Sequence, residues 1–193
     1  MICEKILGSI HDDGAHARLS EELGCYTVED VPFAWDEVHK RIQRKTSVHG
    51  VEFGIRLSEE DRQRGIRQGD ILAVLTDTQR VLVAAIEPAM AVAVEVPQGD
   101  VEAAARVAWE VGNTHTPLFA GEEPGTFLVP YSEPLLKGLA TIPGVYASAC
   151  SAVLDTARQL SSGAGHHHHA GHDHGHEHGH DHSHGHGHAD DHE

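Results

Sequence analysis

The last 28 residues, His166 to Glu193, hold fourteen of the chain's nineteen histidines and not one large apolar side chain. A segment with nothing to bury cannot offset the entropy lost on ordering. It cannot nucleate a core, so any fold must be built by the 165 residues before it. The run opens with His166, His167, His168 and His169. It then alternates with Gly, Asp, Glu, Ser or Ala, at His172, His174, His176, His178, His180, His182, His184, His186, His188 and His192. Neutral imidazole is a preferred ligand of nickel, zinc and copper, so each of these histidines is a candidate metal ligand. An expression tag is an uninterrupted histidine run after a vector linker, and here only four are consecutive. A solvated low-complexity tail without a role is the other bland reading.

The formal net charge is −16, and six of the acids lie in this tail, which leaves −10 for the body. Nucleic-acid phosphates would be repelled by such a body. An acidic surface suits cation capture and basic partners. Cys3, Cys25 and Cys150 are scattered and odd in number, which is not a disulfide framework, so reduced and mostly buried thiols are expected. No apolar run reaches the roughly 20 residues a bilayer span needs, and the N-terminus lacks a secretory pattern. These features predict a soluble cytoplasmic protein with neither membrane nor nucleic acid as partner.

Residues 1–88 read as β. Short strands are expected at Ile6–Ile10, Tyr26–Phe33, Arg41–Val48, Val51–Leu57, Ile71–Leu75 and Arg80–Ile86. His49-Gly50 serves as a hairpin turn, while Asp12–Gly24 and the Ser58–Asp61 stretch serve as polar connectors. That pattern suggests a small barrel or sandwich. After it come a strand at Ala91–Val96 and an Ala-rich helix over Val101–Val111. The helix is capped by Asp100, and Val101, Ala104, Ala105, Ala108 and Val111 share its apolar face. Strands at Pro117–Ala120 and Thr126–Val129 follow. A second helix is capped by Ser132 and has Leu135, Leu136, Leu139 and Ile142 on one face; a last strand runs over Val145–Val153. The expected fold class is α+β. A small all-β domain spans 1–88, a ferredoxin-like βαββαβ domain spans 89–162, and a disordered His-rich tail behind a Ser161–Gly165 linker covers 163–193.

Nothing in the body points to catalysis. There is no GxxxxGK[ST] phosphate loop, no HExxH zinc helix and no GxSxG elbow. The acidic runs Asp12-Asp13, Glu21-Glu22, Glu59-Glu60-Asp61 and Glu122-Glu123 read as solvated, turn-like surface. Of the five body histidines, His11, His16, His39 and His49 lie in polar stretches. His115 follows the Gly112-Asn113 helix stop, where a loop side chain can project freely as a ligand or stand as an ordinary loop histidine.

The segment Gly112-Asn113-Thr114-His115-Thr116-Pro117-Leu118 resembles the GNRHxPL signature of the UreE urease accessory proteins, a family of nickel metallochaperones. The stretch from Trp35 to Arg41, that from Thr46 to Leu57, and Gly69-Asp70-Ile71-Leu72 resemble further family segments in the same order, and the tail resembles the His-rich C-terminus of many members. The resemblance implies an N-terminal domain that binds partner peptides and a second domain that makes a homodimer. It places His115 at the dimer interface, sharing one nickel ion with its twin. The partners it implies are the urease maturation GTPase and the apo-urease accessory complex. Two departures stand out. The family's arginine is Thr114 here, and a peripheral His-x-His found in some members is replaced by Tyr131-Ser132-Glu133.

The expected function is therefore capture of Ni(II), with Zn(II) or Cu(II) as further possible ligands, and its donation to apo-urease. At roughly three to four imidazoles per ion the tail has room for about four ions per chain. The alternative is a nickel or zinc storage protein not dedicated to urease; an enzyme with a His-rich appendage has no support in the body.

Overall fold

The computed structural model describes residues 1–160. The linker and tail expected over 161–193, with their fourteen candidate ligands, lie outside the described residues.

Short apolar alternations set the strands of the first half. β1 (Ile2–Cys3), β4 (Glu52–Arg56) and β3 (Ile42–Thr46) form one three-stranded sheet; β2 (Thr27–Phe33), β6 (Arg80–Ile86) and β5 (Ile71–Leu75) form another. β3 and β4 make the expected hairpin, in register from Ile42↔Arg56 to Thr46↔Glu52, while β1 runs parallel to β4 and β2 parallel to β6. Main-chain hydrogen bonds link the two sheets on both sides: Val48 N–H to the Asp30 carbonyl at 2.9 Å, and Leu7 N–H to the Ile71 carbonyl at 2.9 Å. Both sheets turn apolar faces inward on one core that includes Phe33, Phe53, Ile55, Leu57 and Leu82. Ile71 and Leu72 face different clusters by ordinary alternation, and a register shift between Ile71 and Ala73 lets the consecutive Leu72 and Ala73 face the same core.

This half is not all-β. The expected connector over Asp12–Gly24 contains α1 (Ala15–Leu23), whose Ala15, Leu19 and Leu23 recur at helical spacing and are buried. Leu19 and Leu23 cover Ile71, Val81 and Val83 on the outer face of β5 and β6, so tertiary burial supplies what the poorly capped N-terminus does not. The Ser58–Asp61 connector begins α2 (Glu59–Arg64); the Ser58 hydroxyl accepts the Asp61 N–H, and three acids occupy the positive end of the helix dipole. The expected strand at Ile6–Ile10 is replaced by one bridge, Ser9↔Asp70.

The second half runs β7 (Ala89–Glu95), α3 (Val101–Asn113), β8 (Leu118–Ala120), β9 (Thr126–Pro130), α4 (Glu133–Leu139) and β10 (Tyr146–Ala152). One antiparallel sheet has the order β10-β7-β9-β8-β11, where β11 (Gln159–Leu160) is an addition the sequence did not signal. α3 and α4 cover one sheet face through Val92, Val94, Val107, Val111, Leu135 and Leu139. α3 buries Ala103, Val107 and Val111 and half-buries Ala104, so the expected face holds at Ala104 and Val111, while Val101, 78% exposed, Ala105 and Ala108 face outward. An Ala-rich helix offers two apolar stripes, and the sheet selects the one bearing Val107, the bulkier side chain. Asp100 caps α3 as expected, accepting the Ala103 N–H at 2.9 Å, but Ser132 makes no side-chain cap on α4. The opposite sheet face packs Ala91, Phe119 and Leu154 with Trp35 from the first half. Among the described residues no helix is long and apolar enough to cross a membrane.

Candidate metal centre

His115 sits where α3 unwinds. The Thr116 N–H reaches the Val111 carbonyl at 3.4 Å and the His115 N–H reaches the Gly112 carbonyl at 3.0 Å. That pair of bonds is the Schellman ending, which places His115 at C′, the left-handed position. Its φ is 53°, one of two positive values among non-glycine residues in the described chain. Glycine usually holds this position because a Cβ crowds the neighbouring carbonyl, at a cost of roughly 1–2 kcal/mol. A strained residue persists only where its surroundings impose it, and such residues cluster at functional sites. The imidazole is exposed.

Thr114 is held at the helix end by its own side chain. Its hydroxyl donates to the Val111 carbonyl at 2.8 Å and lies 2.8 Å from the Thr116 hydroxyl. It thereby adds a side-chain donor to a carbonyl that already takes the Thr114 and Thr116 N–H groups at the helix end. From there the chain enters β8 at Leu118.

β11 is the part of this region that sequence reading missed. It pairs antiparallel with β8 in the register Gln159↔Phe119 and Leu160↔Leu118. Leu160, the last described residue, therefore lies opposite the residue three positions after His115, and the chain there is heading back along β8 toward His115. A two-residue strand has no periodicity to detect; only its partner defines it.

The other body histidines are placed elsewhere. His16 Nδ1 lies 2.6 Å from the Tyr26 hydroxyl, and His39 Nδ1 donates to the Arg62 carbonyl at 2.8 Å. His49, 71% exposed, stands 3.7 Å from Glu29. The ring of His11 lies against Gly69. Among the described residues no three His, Cys, Asp or Glu side chains converge as a metal-binding group. Cys3 is buried, and burial pushes its thiol up, away from the thiolate that binds metal. Cys25 is exposed, contrary to the expectation of mostly buried thiols. In Tyr131-Ser132-Glu133, the Glu133 carboxylate is engaged by Lys137 Nζ at 2.7 Å.

The buried carboxylates belong to the scaffold. Asp70 accepts both guanidinium nitrogens of Arg64, at 2.6 and 2.8 Å, and the Arg67 N–H at 2.8 Å. Glu29, 2% exposed, accepts from Ser47, from Arg80 at 3.1 Å and from the His49 N–H at 3.3 Å. Burial pushes Glu29 up, but these donors outweigh it and hold the carboxyl below its usual range.

A family model described as UreE urease accessory protein, N-terminal domain, matches residues 3–85, and one described as UreE urease accessory protein, C-terminal domain, matches residues 87–193. The Urease accessory protein UreE of Acetivibrio thermocellus is 34% identical over 140 residues, 72% of this chain and 80% of its own length. That of Flavobacterium johnsoniae is 31% identical over 140 residues, covering 72% and 75%. That of Helicobacter pylori is 27% identical over 161 residues, covering 83% and 86%.

Proposed function

The chain belongs to the UreE family of urease accessory proteins, and we propose that it captures Ni(II) and donates it to apo-urease while the urease metal centre is assembled. The observation that carries this is the exposed imidazole of His115, held at a left-handed C′ position that glycine would fill with less strain. The fold tolerates a local cost to present a ligand there.

In this reading two chains form a homodimer through residues 89–162, which adopt the ferredoxin-like fold. The two His115 side chains share one nickel. Two imidazoles leave most of a nickel sphere to water or to tail imidazoles. An incompletely filled sphere is what transfer requires: an acceptor ligand can enter before a donor leaves. Residues 163–193, with His166 through His192 as ligands, act as a reservoir of many weak sites that refill His115. Residues 1–88 engage partner peptides, and the maturation GTPase and the apo-urease complex receive the metal in the cytoplasm. No step needs catalysis by this chain. Zinc and copper would also bind, and copper more tightly on ligand chemistry alone, so geometry and partners must supply selectivity.

Nickel titration tests the site. In a variant ending at Gly165, stoichiometry should fall to about one nickel per dimer, the two-imidazole count above, and His115→Ala should remove that ion. Tight binding that survives both changes rules out an interface site. A storage protein would bind as much metal, but deleting it would leave urease activity at limiting nickel unchanged; donation predicts a loss that added nickel restores.

A further inference from the structure

The sheet β1-β4-β3 has two unlike faces. One carries Phe53 and Ile55 into the core of the first half. The other is open to water and carries Ile42, Arg44 and Thr46 from β3, Glu52 and Arg56 from β4, and Ile2 from β1. Ile42 is 72% exposed and Ile2 64%. The charge of this face opposes that of the chain. Four of the fourteen lysines and arginines lie in Lys40-Arg41-Ile42-Gln43-Arg44-Lys45, in a protein of formal net charge −16. Lys40 and Lys45 are both paired with Glu37, whereas Arg44 and Arg56 enter no ion pair among the described residues. Gly54 lies at the centre of the face, opposite Arg44 on one side and Ile2 on the other. The register across it is unbroken, so it serves no bulge, and its φ is not left-handed. A Cβ there would meet only Ile2 Cγ1 at 3.7 Å and the Met1 carbonyl oxygen at 4.0 Å, which is ordinary contact. The fold itself has no need of a glycine at this position. A strand glycine weakens its sheet, and outside bulges and bends it marks a place where another backbone comes close.

We propose that this face docks an extended acidic segment of a partner protein, whose backbone lies over Gly54 and whose carboxylates pair with Arg44 and Arg56. The inference rests on the reading of residues 1–88 as the part that engages partner peptides, and it names the face and the chemistry. Arg56 is opposite Ile42 and Arg44 is opposite Gly54, so the two arginines are diagonal neighbours, with about 7–8 Å between their Cα atoms. An extended chain repeats its side chains on one face every two residues, about 6.8 Å apart. Acids two positions apart therefore match the arginine diagonal. Guanidinium–carboxylate pairs can be bidentate, which fixes register as well as adding attraction. Ile2 and Ile42 flank the path with apolar surface. Glu52, opposite Thr46, puts an acid at the far end of the face and would disfavour a longer acidic run. The net negative charge of the rest of the chain would repel the same segment elsewhere.

Full-length, metal-free protein tests this with a synthetic blocked peptide as probe, fluorescein-labelled, bearing two glutamates two positions apart among valines and serines. Its counterpart has glutamine at both positions. Fluorescence anisotropy should show tighter binding of the glutamate peptide, weakening as salt is added. Arg44→Ala and Arg56→Ala should each weaken it about three- to fivefold, the range of an exposed ion pair. Gly54→Val should weaken it at least about tenfold by filling the path of the peptide backbone. The same variant should melt no lower than the parent, because valine favours strands, so lost binding would not reflect lost folding. Equal affinity for the two peptides, or unchanged affinity in all three variants, overturns the proposal. Amide shifts confined to other parts of residues 1–88 would keep the peptide-binding reading and overturn this face; no binding to residues 1–88 overturns both. If phosphatidylglycerol vesicles bind through Arg44 and Arg56 and the peptide does not, the face meets a membrane surface and the proposal fails. It fails equally if Gly54→Val splits a dimer in sedimentation, which would make the face a contact between copies. Nickel titration of the same variants should match the parent, so the fate of the His115 assignment is read separately.

Discussion

The His115 N–H donates to the carbonyl of Gly112 at 3.0 Å and closes the end of α3 with His115 in the left-handed region, at φ 53°. On the proposed reading of His115 as a nickel ligand, fold stability and ligand presentation pull in opposite directions at one residue. His115→Gly should raise stability by about 0.5–1 kcal/mol, because the Cβ penalty disappears, less the extra entropy of an unfolded glycine. The same variant should lose the shared nickel ion. Calorimetry without metal checks the first expectation and nickel titration the second; a lower melting temperature for His115→Gly would show that the imidazole stabilises the turn.

Gly65 and His39 form a second coupled pair. Gly65 has φ 75°, and a Cβ there would lie 2.6 Å from His39 Cε1. Gly65→Ala should cost about 1–3 kcal/mol, from left-handed strain plus the displaced ring. In a His39→Ala background only the strain remains, so the cost should shrink by about 1 kcal/mol in a double-mutant cycle. Strict additivity in urea unfolding would mean that the ring moves aside freely.

Glu37 sets an acid limit. The Lys45 ammonium, 2.6 Å away, holds its carboxyl far below the usual 4.5, at about 2, aided by the Ala34 N–H and Lys40 against the opposing effect of partial burial. A carboxyl depressed in the folded state contributes stability that is complete above its unfolded value of 4.5 and is lost as pH falls toward about 2. Urea midpoints should therefore drop between pH 4.5 and 2, and Glu37→Gln should be less stable at pH 7 with a flatter decline across that window. A parallel decline in both proteins would place the acid sensitivity elsewhere; Glu29, also held low, is the next candidate.

Nickel capacity should fall on acidification for a different reason. Only neutral imidazole binds, and its reference value is ~6.5. Stoichiometry by equilibrium dialysis should drop by at least about half between pH 7.5 and 5.5, on either side of that value. The variant ending at Gly165 should lose most of this dependence in absolute terms. Capacity independent of pH would point to carboxylate ligands such as Asp173 or Glu177.

Strands with β-branched runs, such as Ile71–Leu75 and Arg80–Ile86, were legible because each carries its own apolar signal. α1 was not: Ala15, Leu19 and Leu23 among mostly polar residues, behind an uncapped Gly14, become the buried face of a helix only when β5 and β6 offer a surface to cover. The face of α3 was read only in part, right at Ala104 and Val111 and wrong at Val101, Ala105 and Ala108, because alanines on every side leave the choice to the sheet. β11 depends entirely on a partner about forty residues away. For His115, Gly112-Asn113 signalled a helix stop, but α3 runs through both and caps at Thr114, and the left-handed backbone at His115 was hidden, since the rule for that position names glycine.

The antiparallel seat of Leu160 on Leu118 has a consequence for how such a protein can vary. Gln159 and Leu160 are both exposed and pair through the main chain, so their side chains can change without loss of the strand, whereas Leu154, fully buried a few residues earlier, cannot. The identity of the edge strand and its seating are separable traits, one free to drift and the other held by the core.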